Sequence, residues 1–475
     1  MRIFFILLLL CCIPLCANAD GLPDLGDPSQ EELSPQQEQQ IGEQSMLQIR
    51  AGKTYLGDSE VDDYLNDLGY RLASNSNDPS QSFDFFAIND DNINAFALPG
   101  GYIGVNTGLI LTAQSESELA SVLAHEIAHV TQHHLARMFA HQKADTMTSM
   151  AALAVAILAA RTNPQASQAA LIGAQASSIQ RQLNFTRAHE SEADRVGLAT
   201  LERAGFDVHA MPEFFERMQR GTRLLDNNTP SWLLTHPVTA ERIADIENRV
   251  RQMPYKLVAD NLDFQLVRAK LLATEKSPRE AVAYFEQALS GPRKFGDPVV
   301  QRYGLALALL RAGKTSQASQ ELATLRKAMP SNDMIDTLSG HIYKAAGMSD
   351  ARLDAFYRDA TQAYPQHRAL AYDYAEHLIE EKKYAEALKQ LEDRIGNYPN
   401  DARLYELQAR TYAALDKPQE EHHALAYNYI LHGDLRGAIE QLELAKQSGS
   451  DYYQLSIIES DLKQFKGWAA EQEKH

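Results

Sequence analysis

The sequence predicts a mostly α protein in two parts: an α+β domain with a small sheet, then an α-solenoid of helical repeats. Three observations carry that prediction. Pro330, Pro365 and Pro399 recur at intervals of 35 and 34 residues, each twelve residues after an apolar position, Ala318, Leu353 or Ala387. A β-prone segment, Tyr102 to Val105, stands between Gly100-Gly101 and Asn106 to Gly108, just ahead of "SESELASVLA", whose apolar spacing is that of an amphipathic helix. With 475 residues, 44% of them hydrophobic, the chain can bury substantial cores and is long enough for two or three domains.

The first nineteen residues, "MRIFFILLLLCCIPLCANA", read as a basic start at Arg2, an uncharged apolar core and a small-residue cleavage site at Ala17-Asn18-Ala19. This is the pattern of a secretory signal, and it puts the start of the mature chain at Asp20. A lipoprotein would need a small residue before its modified cysteine, and Leu15 precedes Cys16. Cys11, Cys12 and Cys16 all lie inside the signal, so the mature chain has no thiol, and any metal must be held by nitrogen and oxygen. Loss of Arg2 takes the formal charge from −18 to −19, which argues against a nucleic-acid partner.

Residues 125 to 134, "HEIAHVTQHH", hold four histidines and one glutamate. On a helix His125 and His129 share a face and can converge on one ion, with Glu126 beside them, the H-E-x-x-H arrangement. The bland alternative is a helix with two buried histidines satisfied by their neighbours. His133 continues the same face, but eight helical residues span about 12 Å, whereas two nitrogens on one zinc lie about 3–4 Å apart. A straight helix therefore supplies two ligands, which leaves His133 and His134 as surface or supporting groups.

A second segment, "FTRAHESEADRVG" at 185 to 197, offers Glu190, Glu192 and Asp194. Glu190 and Asp194 share a helix face at i+4, so one carboxylate can bind the ion while the other fixes the tautomer of a ligand imidazole. Glu192 points away from both. Taken alone, this stretch also reads as an exposed acidic helix face. Taken together, "HEIAH" and "HESEAD" some sixty residues later resemble the M48 family of zinc metallopeptidases. That resemblance implies an α+β zincin-like metallopeptidase domain over residues 20–255, one Zn²⁺ per chain, and ligands at His125, His129 and Glu190. It also implies Glu126 as general base and Asp194 as a supporting acid or proton donor.

The resemblance extends to "NAFALPGGYIGVNTGLI", residues 94 to 110, which reads as a hairpin arm leading into the metal helix and in the family supplies an edge strand beside the zinc. An ordinary core hairpin fits the same residues. In "SWLLTHPVTAERIADI", residues 231 to 246, His236 precedes a proline at a turn before a helix carrying Arg242. The family resemblance implies that this pair steadies the oxyanion of the tetrahedral intermediate, or that His236 instead fills the fourth zinc position and holds the enzyme inactive. Between the metal segments, residues 146 to 180 are alanine-rich with Arg161 their one charge, too short for a span and broken at Asn163-Pro164. They read as a buried helical hairpin, or as a lid or membrane-facing surface over the cleft.

From about residue 256 to 475 amphipathic helices alternate with short polar turns, and the proline interval is that of tetratricopeptide repeats. Four units are predicted, stacked into a solenoid that binds peptides or partner proteins. An M48 domain followed by such repeats, after a signal peptide, resembles the repeat-bearing periplasmic branch of the family. This implies docking of the repeats on the barrel-assembly machinery, with unfolded or stalled outer-membrane proteins as substrates. The contrasting reading is an assembly chaperone with a vestigial zinc site; retention of Glu126 speaks against it, because a purely structural site needs no base.

Overall fold

In the computed structural model the described residues are 33–139, 187–224, 230–256, 258–290 and 296–472. The expected signal, 1–19, and the apolar stretch 146–180 lie outside them. The first part opens with α1 (Pro35–Ala51) and α2 (Ser59–Ala73), the latter capped by Asp58, whose carboxylate accepts from the backbone N–H groups of Glu60 and Val61.

A three-stranded sheet follows: β1 (Asp84–Ile88), β2 (Ala95–Leu98) and β3 (Tyr102–Asn106), in the order β1-β3-β2. The expected hairpin is present, β2 running antiparallel to β3 across Pro99-Gly100-Gly101. Gly100 and Gly101 turn at φ 80° and 84°, the left-handed region that glycine enters without a side-chain clash. Tyr102 to Val105 lies in the central strand, parallel to β1 on its other side, and the edge within this stretch is β2. The outer margin of β1 is closed by side chains of α2. Asn66 accepts from Phe85 N at 3.1 Å and donates to Phe85 O at 2.7 Å, and Asp62 accepts from Ala87 N at 3.0 Å.

Next come α3 (Thr107–Thr112) and α4 (Glu116–Thr131), which Ser115 caps. In α4 every residue but Val130 is buried, because it runs through the middle of the domain against α2, β2 and the later helices. The helix ends at Gln132, and His133 turns the chain with φ 50° before α5 (His134–Phe139). The straight helical extension to His133 assumed from the sequence therefore does not form. The domain continues with α6 (Arg187–Arg203), α7 (Ala210–Leu224), α8 (Ser231–Thr235) and α9 (Ala240–Val250).

Among the described residues the second part has twelve helices, from α10 (Leu262–Glu275) to α21 (Tyr452–Gln472), arranged as six successive helical pairs rather than the four predicted. Pro330, Pro365 and Pro399 follow the second helices of the second, third and fourth pairs. The fifth pair closes on His432-Gly433 instead, where no proline marks it.

This arm is fastened to the first part at several points. Lys270 on α10 lies 2.6 Å from both Asp58 and Glu60, and Arg268 donates to Leu111 O at 3.0 Å. Further along, Arg368 reaches Asp63 at 2.7 Å. Near the far end the arm returns to α1: a Cβ on Gly433, which sits at φ 79°, would fall 2.5 Å from Leu47 O. Between these fastenings lies a cavity of about 950 Å³, walled by Asp62, Asn66 and Asp84 on one side and by Tyr303, His341 and Asp373 on the other.

Gly433→Val should therefore loosen the return contact, through both the clash and the unfavourable backbone angle. We expect a loss of about 1–3 kcal/mol in denaturant unfolding and a larger radius of gyration in small-angle scattering. Unchanged values for both would show that the contact does not hold the arm.

Candidate metal centre

The site begins with two imidazoles one helical turn apart on α4. His125 and His129 present their Nε2 atoms 3.0 Å from each other. Helix α6 crosses α4 backbone against backbone: a Cβ on Gly197 would lie 3.0 Å from Ala124 O and 3.1 Å from His125 Cα. That closeness lets short acidic side chains of α6 reach the rings. Glu190 sets Oε1 3.5 Å from His129 Nε2 and Oε2 3.6 Å from His125 Nε2. One turn on, Asp194 Oδ1 lies 3.0 Å from the other nitrogen of His125, Nδ1, off the ideal line of the ring N–H.

His236 enters from the turn after α8. Its Nδ1 is 3.1 Å from Glu190 Oε1 and 3.3 Å from His125 Nε2, and its Nε2 is 3.5 Å from Glu126 Oε1. One ligand atom from each of His125, His129, Glu190 and His236 falls within 4.8 Å of the others. Among the described residues no other group of this kind occurs. Three nitrogens and a carboxylate oxygen, spaced as donors on one ion are spaced, fit a zinc-like cation.

Arg242, on α9, closes the back of the site. Its guanidinium holds Asp194 with two parallel bonds of 2.7 Å, lies 2.8 Å from Glu190 Oε2 and donates to Pro237 O at 2.9 Å. Its bonds thus run to the carboxylates and to the turn that carries His236.

All seven of these side chains, Glu126 included, are at most 6% exposed. Burial alone would drive Glu190 and Asp194 toward the neutral acid, but neighbouring charges prevail. His236, His125 and His129 hold Glu190 well below the usual carboxylate range, and His125 and Arg242 do the same, less strongly, for Asp194. For His125 burial opposes the charged ring, yet Asp194 and Glu190 lift its pKa to about 9. A pocket that draws a proton onto an imidazole so strongly is built for positive charge.

The parts of Trp232 and Glu192 escape sequence reasoning. Trp232 donates its indole N–H to Glu126 Oε1 at 3.2 Å, stacks on His236 at 5.3 Å between ring centroids and packs on Phe215. The signal for Trp232 was its position four residues before His236. His134 is fully buried with Nδ1 2.9 Å from His129 Nδ1, and Glu192, which the helix projection aimed away from the site, reaches His134 at 3.2 Å. His133 is partly exposed and outside the cluster.

This arrangement defines a metallopeptidase. Residues 59–250 match the model of peptidase family M48, and residues 355–411 match that of the tetratricopeptide repeat. Along nearly its whole length the chain is similar to the putative beta-barrel assembly-enhancing protease of Vibrio cholerae, 36% identical over 442 residues, 92% of this chain and 90% of that one. Its identity to the beta-barrel assembly-enhancing protease of Escherichia coli K12 is 35% over 432 residues, 90% of this chain and 87% of the relative. A shorter match, 30% over 184 residues, 39% of this chain and 51% of the other, is to the mitochondrial metalloendopeptidase OMA1 of Schizosaccharomyces pombe. The chain belongs to family M48, within the group of the repeat-bearing beta-barrel assembly-enhancing proteases.

Because Glu190 and Asp194 reach His125 and His129 through the crossing at Gly197, widening it should dismantle the site. Gly197→Val is expected to cost about 1–3 kcal/mol in thermal or denaturant unfolding and to weaken binding of added zinc. Zinc affinity unchanged by the substitution would separate the crossing from the site.

Proposed function

We propose that this chain is a periplasmic zinc endopeptidase that assists the assembly of outer-membrane proteins and degrades those that misassemble. The observation that carries the enzymatic part is the convergence of His125, His129 and Glu190 beside a buried Glu126. When bound there, zinc supplies Lewis acidity toward a peptide carbonyl and lowers the pKa of water toward neutrality.

The remaining steps belong to the chain. Glu126, held by Trp232, accepts a proton from the attacking water and returns it to the departing amide nitrogen. Asp194, anchored by Arg242, fixes the orientation of His125. The contacts of Arg242 support a role in steadying the carboxylates rather than an oxyanion. Edge strand β2, which packs against α4, suits an extended peptide paired backbone to backbone.

His236 acts as a latch in this reading. Its ring lies among the ligand atoms and against Glu126, in the space that the attacking water needs. A latch suits a protease sharing its compartment with unfolded chains. Activity would then await a partner or substrate that draws the turn after α8 away.

The envelope role is supported by the names of the relatives, by the signal-like N-terminal sequence and by the arm. In this reading the repeats dock on the barrel-assembly machinery, and the substrates are unfolded or stalled outer-membrane proteins. Among the described residues no helix is long and apolar enough to cross a membrane. The rival reading, an assembly scaffold with a vestigial site, predicts that loss of the base changes nothing.

Glu126→Gln should keep zinc and lower casein-type cleavage by at least about a hundredfold. Full cellular function in that variant would favour the scaffold. His236→Ala should raise cleavage several-fold if the histidine is a latch, whereas a fall would make it a stabiliser of the transition state.

A further inference from the structure

The two α4 histidines are steadied from behind in different ways. His125 meets a carboxylate directly, Asp194. At Nδ1 of His129, 2.9 Å away, lies Nδ1 of His134, the first residue of α5. The other nitrogen of His134, Nε2, is 3.2 Å from Glu192 Oε2, and Arg137 Nη1 lies 3.1 Å from the same oxygen. The ring of His189 stacks on His134 with centroids 4.7 Å apart and planes 20° from parallel.

The direction of this chain of contacts follows from what each group can donate. An ionised carboxylate only accepts, so the proton between His134 and Glu192 sits on His134 Nε2. Arg137 already balances the charge of Glu192, so these contacts call for no second proton on His134, and only one proton fits between two ring nitrogens 2.9 Å apart. A neutral imidazole protonated at Nε2 has a bare Nδ1, which can only accept. The proton of the 2.9 Å contact then belongs to His129 Nδ1, leaving His129 Nε2 bare and turned toward His125 and Glu190.

We propose that His134 and Glu192 are positioning residues that set the tautomer of His129 through a two-step hydrogen-bond relay, presenting its Nε2 lone pair to the cation. The inference rests on the reading of His129 as a ligand. All three acids of the 185–197 stretch then act on the centre: Glu190 as a ligand, Asp194 on His125, and Glu192 on His129 through an intervening ring.

The test uses the full chain with added zinc. His134→Asn keeps an oxygen acceptor near the place of Nδ1, whereas His134→Phe keeps a ring of similar size with no acceptor. In chelator competition, His134→Phe should bind zinc about 10–100-fold more weakly than wild type, and His134→Asn within about threefold of it. Long-range proton–nitrogen spectra of the wild type should show His129 protonated at Nδ1 and bare at Nε2. Wild-type affinity in His134→Phe, equal losses in both variants, or a proton on His129 Nε2 would each overturn the relay. If the wild type failed to bind zinc, the metal reading would fall; the ring-nitrogen spectrum of the metal-free protein would still decide the relay.

Discussion

The centre of this molecule depends on two helices crossing with no side chain between them. At Gly197 the backbone of α6 meets the backbone of α4, and the approach is set by the absence of a Cβ. A larger separation would leave the short carboxylate of Asp194 out of reach of His125, whose nitrogen is 3.0 Å away. The same crossing brings Glu190 under both imidazoles and Glu192 beside His134. Donors from distant parts of the sequence thus gain their spacing from one packing contact rather than from local turns.

Such a site is expensive to bury. Several ionisable rings and carboxylates occupy an interior from which water is excluded, and a charge there is tolerated only when matched and hydrogen-bonded. Arg242 provides much of that match, since it grips Asp194 at both oxygens, touches Glu190 and holds Pro237 O next to His236. The arginine that balances Glu190 and Asp194 also anchors the turn bearing His236.

The chemistry of the site was legible where function imposes a short spacing along one helix. His125 and His129 follow from the i+4 rule, with Glu126 beside them in the H-E-x-x-H pattern; Glu190 and Asp194 share a face by the same rule, but their separate roles come from the resemblance to family M48. What was illegible depends on tertiary neighbours. Glu192 faces away from Glu190 on a helical projection, yet a separate short helix brings His134 to meet it. The part of Trp232 appears only once α8 is laid beside α4. In the arm, proline punctuation revealed three pairs directly and understated the total, because the fifth closes on Gly433 and α1. The sheet followed the same logic: glycines marked the hairpin, but strand order is a long-range property, and Tyr102 to Val105 became central through pairing with β1.

The side chains of Asn66 and Asp62 occupy the margin of β1 as a neighbouring strand otherwise would. Their bonds give the sheet a polarity of growth: a newcomer is refused on the side that looks into the arm's cavity. An open strand edge can pair with any unpaired strand that comes near it. With that flank already filled from within, the sheet is protected there against becoming the seed of a mixed aggregate.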